Sequence, residues 1–221
     1  MIRSVKALLK KSPVILFAHS EILSTYRQLG SKSKWNKLQQ NDNIKLELGS
    51  GAKKGTNGWT TVDIGEVGMP MTVDIRWDLR RGIPLKNNSV DNIYSSHLLE
   101  HIPYDDLIPF LAECRRVLKN DGEFSVCVPN FKLYIDAYKE GKLFASRETW
   151  WQPGKVDTGS LIDELNYIVY MRDEHKYMFD EENLINTLSK AGFSDVQLRG
   201  FDSELDLANH DIYSIYAKAK K

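Results

Sequence analysis

The chain is poor in thiols: Cys114 and Cys127 are the only cysteines among 221 residues. Two isolated cysteines make neither a disulfide framework nor a zinc-ligand pattern. Cys114 falls among helix-patterned residues and Cys127 in an apolar strand-like run, so both are expected as buried small hydrophobes. The chain also lacks an excess of charge of either sign, with 30 basic residues against 30 acidic ones. It therefore has no long-range basic field of the kind a general nucleic-acid binder uses. Long apolar runs are missing too. Val14-Ile15-Leu16-Phe17-Ala18 is too short for a signal-peptide core or a bilayer span, so no transmembrane segment is expected. No internal repeat or low-complexity tract stands out.

What is present divides into two parts. Residues 1–42 read as an N-terminal helical extension and linker, and 43–221 as the main domain. Ile2, Val5, Leu8 and Leu9 can share one helical face with lysines opposite. Such a helix packs on its own domain or on a partner, and a weaker alternative lays residues 1–18 on an anionic membrane surface. Gly30 to Asn43 is polar and reads as a linker or a loosely held helix.

From Asn43 onward the pattern is regular. Ile44–Leu48 alternates apolar and polar residues and runs into Gly49-Ser50-Gly51, a strand followed by a tight turn. Further strands are expected at Trp59–Ile64, Met71–Ile75, Val90–Ser95 and Glu123–Val128. Pro103–Lys119 has apolar residues at three- and four-residue steps, with Asp105 and Asp106 suited to a helix N-terminus. Asn120-Asp121-Gly122 is expected to stop that helix. Helices are also expected at Phe131–Glu140, Leu161–Tyr170 and Asp180–Lys190, and closing strands at Val196–Phe201 and Ile212–Ala219. This alternation implies an α/β fold with an open, mostly parallel sheet covered on both faces and an antiparallel hairpin at one edge. Ligands bind such sheets at the carboxyl ends of the strands, at the topological switch point.

Three strand-end segments carry candidate chemistry. The first is Glu47-Leu48-Gly49-Ser50-Gly51, whose glycines permit a sharp turn and close ligand approach. Asp63, twelve residues beyond Gly51, ends the next strand and can accept hydrogen bonds from a ribose diol. A third glycine is missing where a dinucleotide fingerprint needs it, since position 54 is Lys54. The gap to the next strand is also too short for a full helix, so a cofactor without phosphates fits better. The second segment places Asp78 and Leu79 beyond the third strand, where a carboxylate can accept from an exocyclic amine and an apolar side chain can pack on a purine. The third, Ser95-Ser96-His97-Leu98-Leu99-Glu100-His101, brings two histidines to a strand end. His97 is the first choice for a general base and His101 the second. The same letters spell His-x-x-Glu-His, an inverted zinc-peptidase signature. That reading needs both histidines on one continuous helix, which the preceding strand and Pro103 oppose.

Together these pieces resemble the class I S-adenosylmethionine-dependent methyltransferase superfamily. The match runs through Leu46-Glu47-Leu48-Gly49-Ser50-Gly51, Gly58-Trp59-Thr60-Thr61-Val62-Asp63-Ile64, Asp78-Leu79-Arg80 and Ser89 to His101. It continues through Glu113 to Glu123, Val128-Pro129-Asn130, His175-Lys176-Tyr177 and Ala191-Gly192-Phe193. Within the superfamily it is closest to small methyltransferases associated with cell-surface polysaccharide gene clusters. The resemblance implies a Rossmann-like seven-stranded sheet of order 3-2-1-4-5-7-6 with strand 7 antiparallel. It implies that Glu47, Gly49 and Gly51, with Ser50 in the same turn, surround the methionine part of S-adenosylmethionine. Asp63, beside Ile64, would hold the ribose, Asp78 and Leu79 the adenine, and the backbone of Ser95, Ser96 and His97 the amino-acid end.

The sequence is thus read as a cytoplasmic enzyme that O-methylates a sugar, glycan or small-molecule hydroxyl and requires no metal. A non-catalytic cofactor-binding or scaffold protein on the same fold is the alternative. Tyr134, Tyr138, Trp150, Trp151, Tyr167, Tyr170, His175 and Tyr177 are the candidates for an acceptor pocket, or else packing residues.

Overall fold

The computed structural model describes residues 30–65, 72–144 and 158–221. Residues 1–29, with the expected N-terminal helix, lie outside that range, as do Met71, Trp150 and Trp151. Seven strands form one sheet: β1 (Lys45–Leu48), β2 (Trp59–Asp63), β3 (Ile75–Arg76), β4 (Val90–Ser96), β5 (Leu118–Pro129), β6 (Ser194–Arg199) and β7 (Ser214–Lys220). Their order is β3-β2-β1-β4-β5-β7-β6. Pairing is parallel from β3 through β5, and β7 runs antiparallel to both β5 and β6. This is the Rossmann-like arrangement expected from the sequence.

Among the described residues the α-helices are α1 (residues 30–38), α2 (Tyr104–Val117), α3 (Phe131–Lys139), α4 (Ile162–Tyr170) and α5 (Glu181–Lys190). Helix α2 turns Leu107, Phe110, Leu111, Cys114 and Val117 inward, the face its spacing prescribes. Asp180 caps α5 by accepting from the Asn183 amide at 2.8 Å. Buried Leu46, Leu48, Val62, Ile93, Phe124 and Val126 belong to the main core on the sheet. Cys114 and Cys127 are buried and free.

Three local expectations differ from the structure. Of the two readings of this stretch, linker or loosely held helix, residues 30–38 form the helix, but it is not loosely held: it sends Trp35, 1% exposed, into the main core. Its indole meets Trp77 edge-on at 6.0 Å, and the Ser31 hydroxyl donates to the Arg76 carbonyl at 2.7 Å. Strand β3 is only Ile75–Arg76, since Asp74 is drawn out of the ladder. Its carboxylate accepts from the Gly55 and Thr61 amides and the Thr61 hydroxyl, pinning the loop before β2. Finally, α2 ends at Val117 and Asn120-Asp121-Gly122 lies within β5. The partners of Val90 and Asn92 are Leu118 and Glu123, so the turn-forming residues are extruded as an irregularity in the ladder.

The register aligns the strand ends that matter. Leu48 of β1 stands between Val62 of β2 and Ser95 of β4. The segments after β1, β2 and β4 therefore leave the sheet side by side, where the chain direction of the topology switches.

Candidate active site

A cleft of about 650 Å³ opens at these strand ends, within the usual range for small-molecule sites. Gly49, Asp63, Ile64, Asp78, Leu79 and His101 are among the residues that line it. Gly49 has φ 71°, and a β-carbon there would stand 2.8 Å from the Leu98 side chain. Close packing and backbone conformation both demand glycine. Its amide donates to the Val62 carbonyl at 2.9 Å, tying the turn to β2.

Asp63 secures the same turn. Its two oxygens accept from the Gly51 amide at 2.9 Å and the Gly65 amide at 2.7 Å. Glu47, mostly buried, faces the Lys53 ammonium at 2.5 Å. Burial lifts its carboxyl above the ordinary carboxylate range despite that partner. Asp78 is 4% exposed and caps the short turn Leu79–Arg81. Burial alone would raise it, but paired hydrogen bonds and charge from Arg80 outweigh the penalty and hold it low. Glu47, Ser50, Gly51, Ser95, Ser96 and His97 do not line the cleft; the Ser95 hydroxyl is buried with no hydrogen-bond partner among the described residues.

The histidine segment turns away from the strand abruptly. β4 ends at Ser96, His97 has φ 51°, and Leu99–His101 is a single 3-10 turn. His97 and His101 thus never share a continuous helix, so the zinc-peptidase geometry is not formed. The Ser214 hydroxyl donates to the His210 carbonyl at 2.7 Å, and its oxygen lies 2.9 Å from His97 Nε2. Its only proton being spent, Ser214 can only accept from His97, so Nε2 carries a hydrogen. Nδ1 stands 3.4 Å from a Glu100 oxygen, a contact that favours a second proton. Burial opposes that charge, yet Cys127 and Glu100 outweigh it and lift the ring to about 9. A ring protonated on both nitrogens has no lone pair with which to accept a proton. Of the two candidate histidines, His101 lines the cleft and His97 does not.

More of the molecule converges here than the sequence indicates. The Glu100 carbonyl accepts from the Lys176 and Tyr177 amides at 2.7 and 3.1 Å, which brings His175 alongside. The His101 and His175 rings lie 5.0 Å apart between centroids, and those of His97 and His210 4.5 Å. Burial and then the charge of His97 lower the His210 imidazole. His210 escaped the sequence reading altogether; its neighbours carry no local motif. The expected acceptor aromatics that are described do not line the cleft. Tyr134 packs with Phe131 and Ile168 in a separate small cluster, and Tyr177 sits between Tyr104 and Phe179.

Comparison with known proteins adds one assignment. Residues 65–126 match the methyltransferase domain family. That match, on a sheet of this strand order, is the ground for reading the chain as an S-adenosylmethionine-dependent methyltransferase. No curated protein matches the sequence. Among solved structures, a SAM-dependent methyltransferase from Archaeoglobus fulgidus is 18% identical, covering 95% of this chain and 100% of its own, with TM-score 0.49. A possible histamine N-methyltransferase from Thermotoga maritima is 16% identical over 91% of this chain and 97% of its own, with TM-score 0.47. A methyltransferase from Mesorhizobium loti is 17% identical over 87% and 100%, with TM-score 0.48. Likenesses at these scores say nothing of the acceptor.

Proposed function

We propose that this methyltransferase moves a methyl group from S-adenosylmethionine to a hydroxyl of a sugar, glycan or other small molecule, in the cytoplasm. The observation that carries the cofactor assignment is the cleft itself. It joins an obligatory glycine turn, an acidic strand end at Asp63 and the Asp78–Leu79 pair along one line of strand ends. When bound, S-adenosylmethionine supplies an electrophilic methyl group on a sulfonium.

The protein's own residues do the rest. Glu47 already holds an ammonium, that of Lys53, and would exchange it for the amino group of the cofactor. Asp63 retains acceptor capacity toward a ribose, because each of its oxygens is used only once among the described residues. Leu79 offers an apolar wall. Orientation of the acceptor oxygen in line with the methyl group contributes most of the rate. His101, at the cleft wall, is placed to take the hydroxyl proton. The glycan acceptor and its link to surface polysaccharides rest on the sequence resemblance.

Isothermal titration with S-adenosylhomocysteine tests the reading. Stoichiometric binding by the full chain is expected; a folded protein that shows no heat would exclude it.

A further inference from the structure

Beside the cleft is a group of side chains whose polar atoms are not matched to one another. Glu100 is 1% exposed, and among the described residues neither carboxylate oxygen has a hydrogen-bond partner. A buried carboxylate left in that state is costly unless a cation faces it. His101 Nε2 lies 3.8 Å from one of its oxygens. His175, 5% exposed, arrives from the segment sewn to the Glu100 carbonyl. One donor atom from each of Glu100, His101 and His175 lies within 4.8 Å of the other two.

The tautomers follow from the partners. A backbone carbonyl can only accept. His101 Nδ1 lies 3.1 Å from the Glu174 carbonyl, and His175 Nδ1 lies 2.5 Å from that of Ile168. Both Nδ1 atoms therefore donate, and in each neutral ring Nε2 keeps its lone pair. Ligating histidines are commonly oriented in this way, with the far N–H held by a carbonyl. Two such lone pairs and a carboxylate without hydrogen bonds make a donor set that a divalent cation completes.

We propose that Glu100, His101 and His175 bind one divalent first-row metal ion, zinc being the natural occupant, with an open coordination position toward the cleft. Two nitrogens and one carboxylate oxygen form a recognised three-ligand set for such ions. Binding contracts the donors toward metal distances of about 2.0–2.2 Å, a change the half-exposed His101 ring can make by rotation. His97 touches Glu100 from the other side and neutralises part of its charge, but it leaves the lone pairs of His101 and His175 unanswered. The use of the ion rests on the proposed methyl transfer: an acceptor hydroxyl at the open position would become more acidic. That takes over the task otherwise given to His101. Binding of the ion does not depend on that reading.

The test uses the full chain, made without a histidine tag and stripped with a chelator. Titration with cobalt(II) should develop visible d–d absorption that saturates at one equivalent and is displaced by zinc. Glu100→Gln and His175→Gln should each weaken cobalt binding by at least about tenfold. Zinc should also shift the ring nitrogens of His101 and His175 in the wild-type NMR spectrum, which assigns the ligands even where a variant fails to fold. No cobalt spectrum from folded wild type would overturn the proposal. So would uptake that leaves those two rings unshifted, or that both variants retain in full. Titration with S-adenosylhomocysteine, run separately, shows whether the cofactor reading stands or falls independently.

Discussion

The two walls of the active-site region are built differently. Toward β2 and β3, each element of the wall is local: a glycine turn after β1, Asp63 ending β2, and Asp78 with Arg80 in one short turn. Toward β4 and β7, the elements come from three distant segments, Ser96–His101, Glu174–Tyr177 and His210–Ser214. Backbone hydrogen bonds hold the first two together, and Ser214 ties the third to His97. The first wall owes its shape to backbone conformation and neighbouring charges. The second exists only once the whole sheet has closed.

That contrast can be broken at its most vulnerable point. Asp206 is fully buried in its side chain and holds the 11%-exposed Arg199. It also accepts from the Tyr94 hydroxyl at 2.9 Å and the Asp202 amide at 2.7 Å. It anchors the loop that leads to His210 and Ser214. Asp206→Ala should cost about 3–5 kcal/mol, because it strands a buried guanidinium, and urea unfolding measures the loss. If the second wall is the assembled one, His97 and His210 ring signals should also shift, while Gly49 and Asp63 amide signals stay in place.

The converse change acts on the local wall. Gly49→Ala meets both a left-handed backbone and Leu98, and should destabilise the chain by about 1–3 kcal/mol. It should also abolish measurable S-adenosylhomocysteine binding by calorimetry. Retained wild-type affinity would show that the turn does not bound the cofactor.

The smallest expected effect is on acid stability. Burial raises Asp78 and Asp74, but hydrogen bonds and nearby charges outweigh it and depress both. In Glu113, the Arg116 hydrogen bonds exceed the burial penalty. Groups with depressed folded values stabilise fully above their unfolded values near 4 and lose that contribution as pH falls through the folded ones. Thermal midpoints should therefore decline on acidification below about pH 4. Asp78→Asn should flatten that decline, and an unchanged acid limb would show that Asp78 contributes no linkage.

Much of the first wall was legible because its signals are contiguous. Gly49, Asp63 and Leu79 announce themselves by position after a strand, and all three line the cleft. The second wall was only half legible. His97 and His101 stood out as a pair, but the sequence could not say that Ser214 and Glu100 occupy both nitrogens of His97. Nor could it bring His175 beside His101, since that contact depends on backbone bonds to the Glu100 carbonyl. Trp35 was hidden for a related reason. A single tryptophan in a polar stretch gives no periodic signal, and only the packed core shows where it goes.

The sequence by itself determined the alternation of strands and helices, the glycine turn and the acidic strand ends, because hydrophobic period and backbone conformation act over a few neighbouring residues; the strand order came only with the family resemblance. The tertiary structure decided which histidine faces the cleft, and that Glu100 stands buried between His97 and His101. Those outcomes depend on burial and on partners far along the chain, which exist only when the sheet is complete.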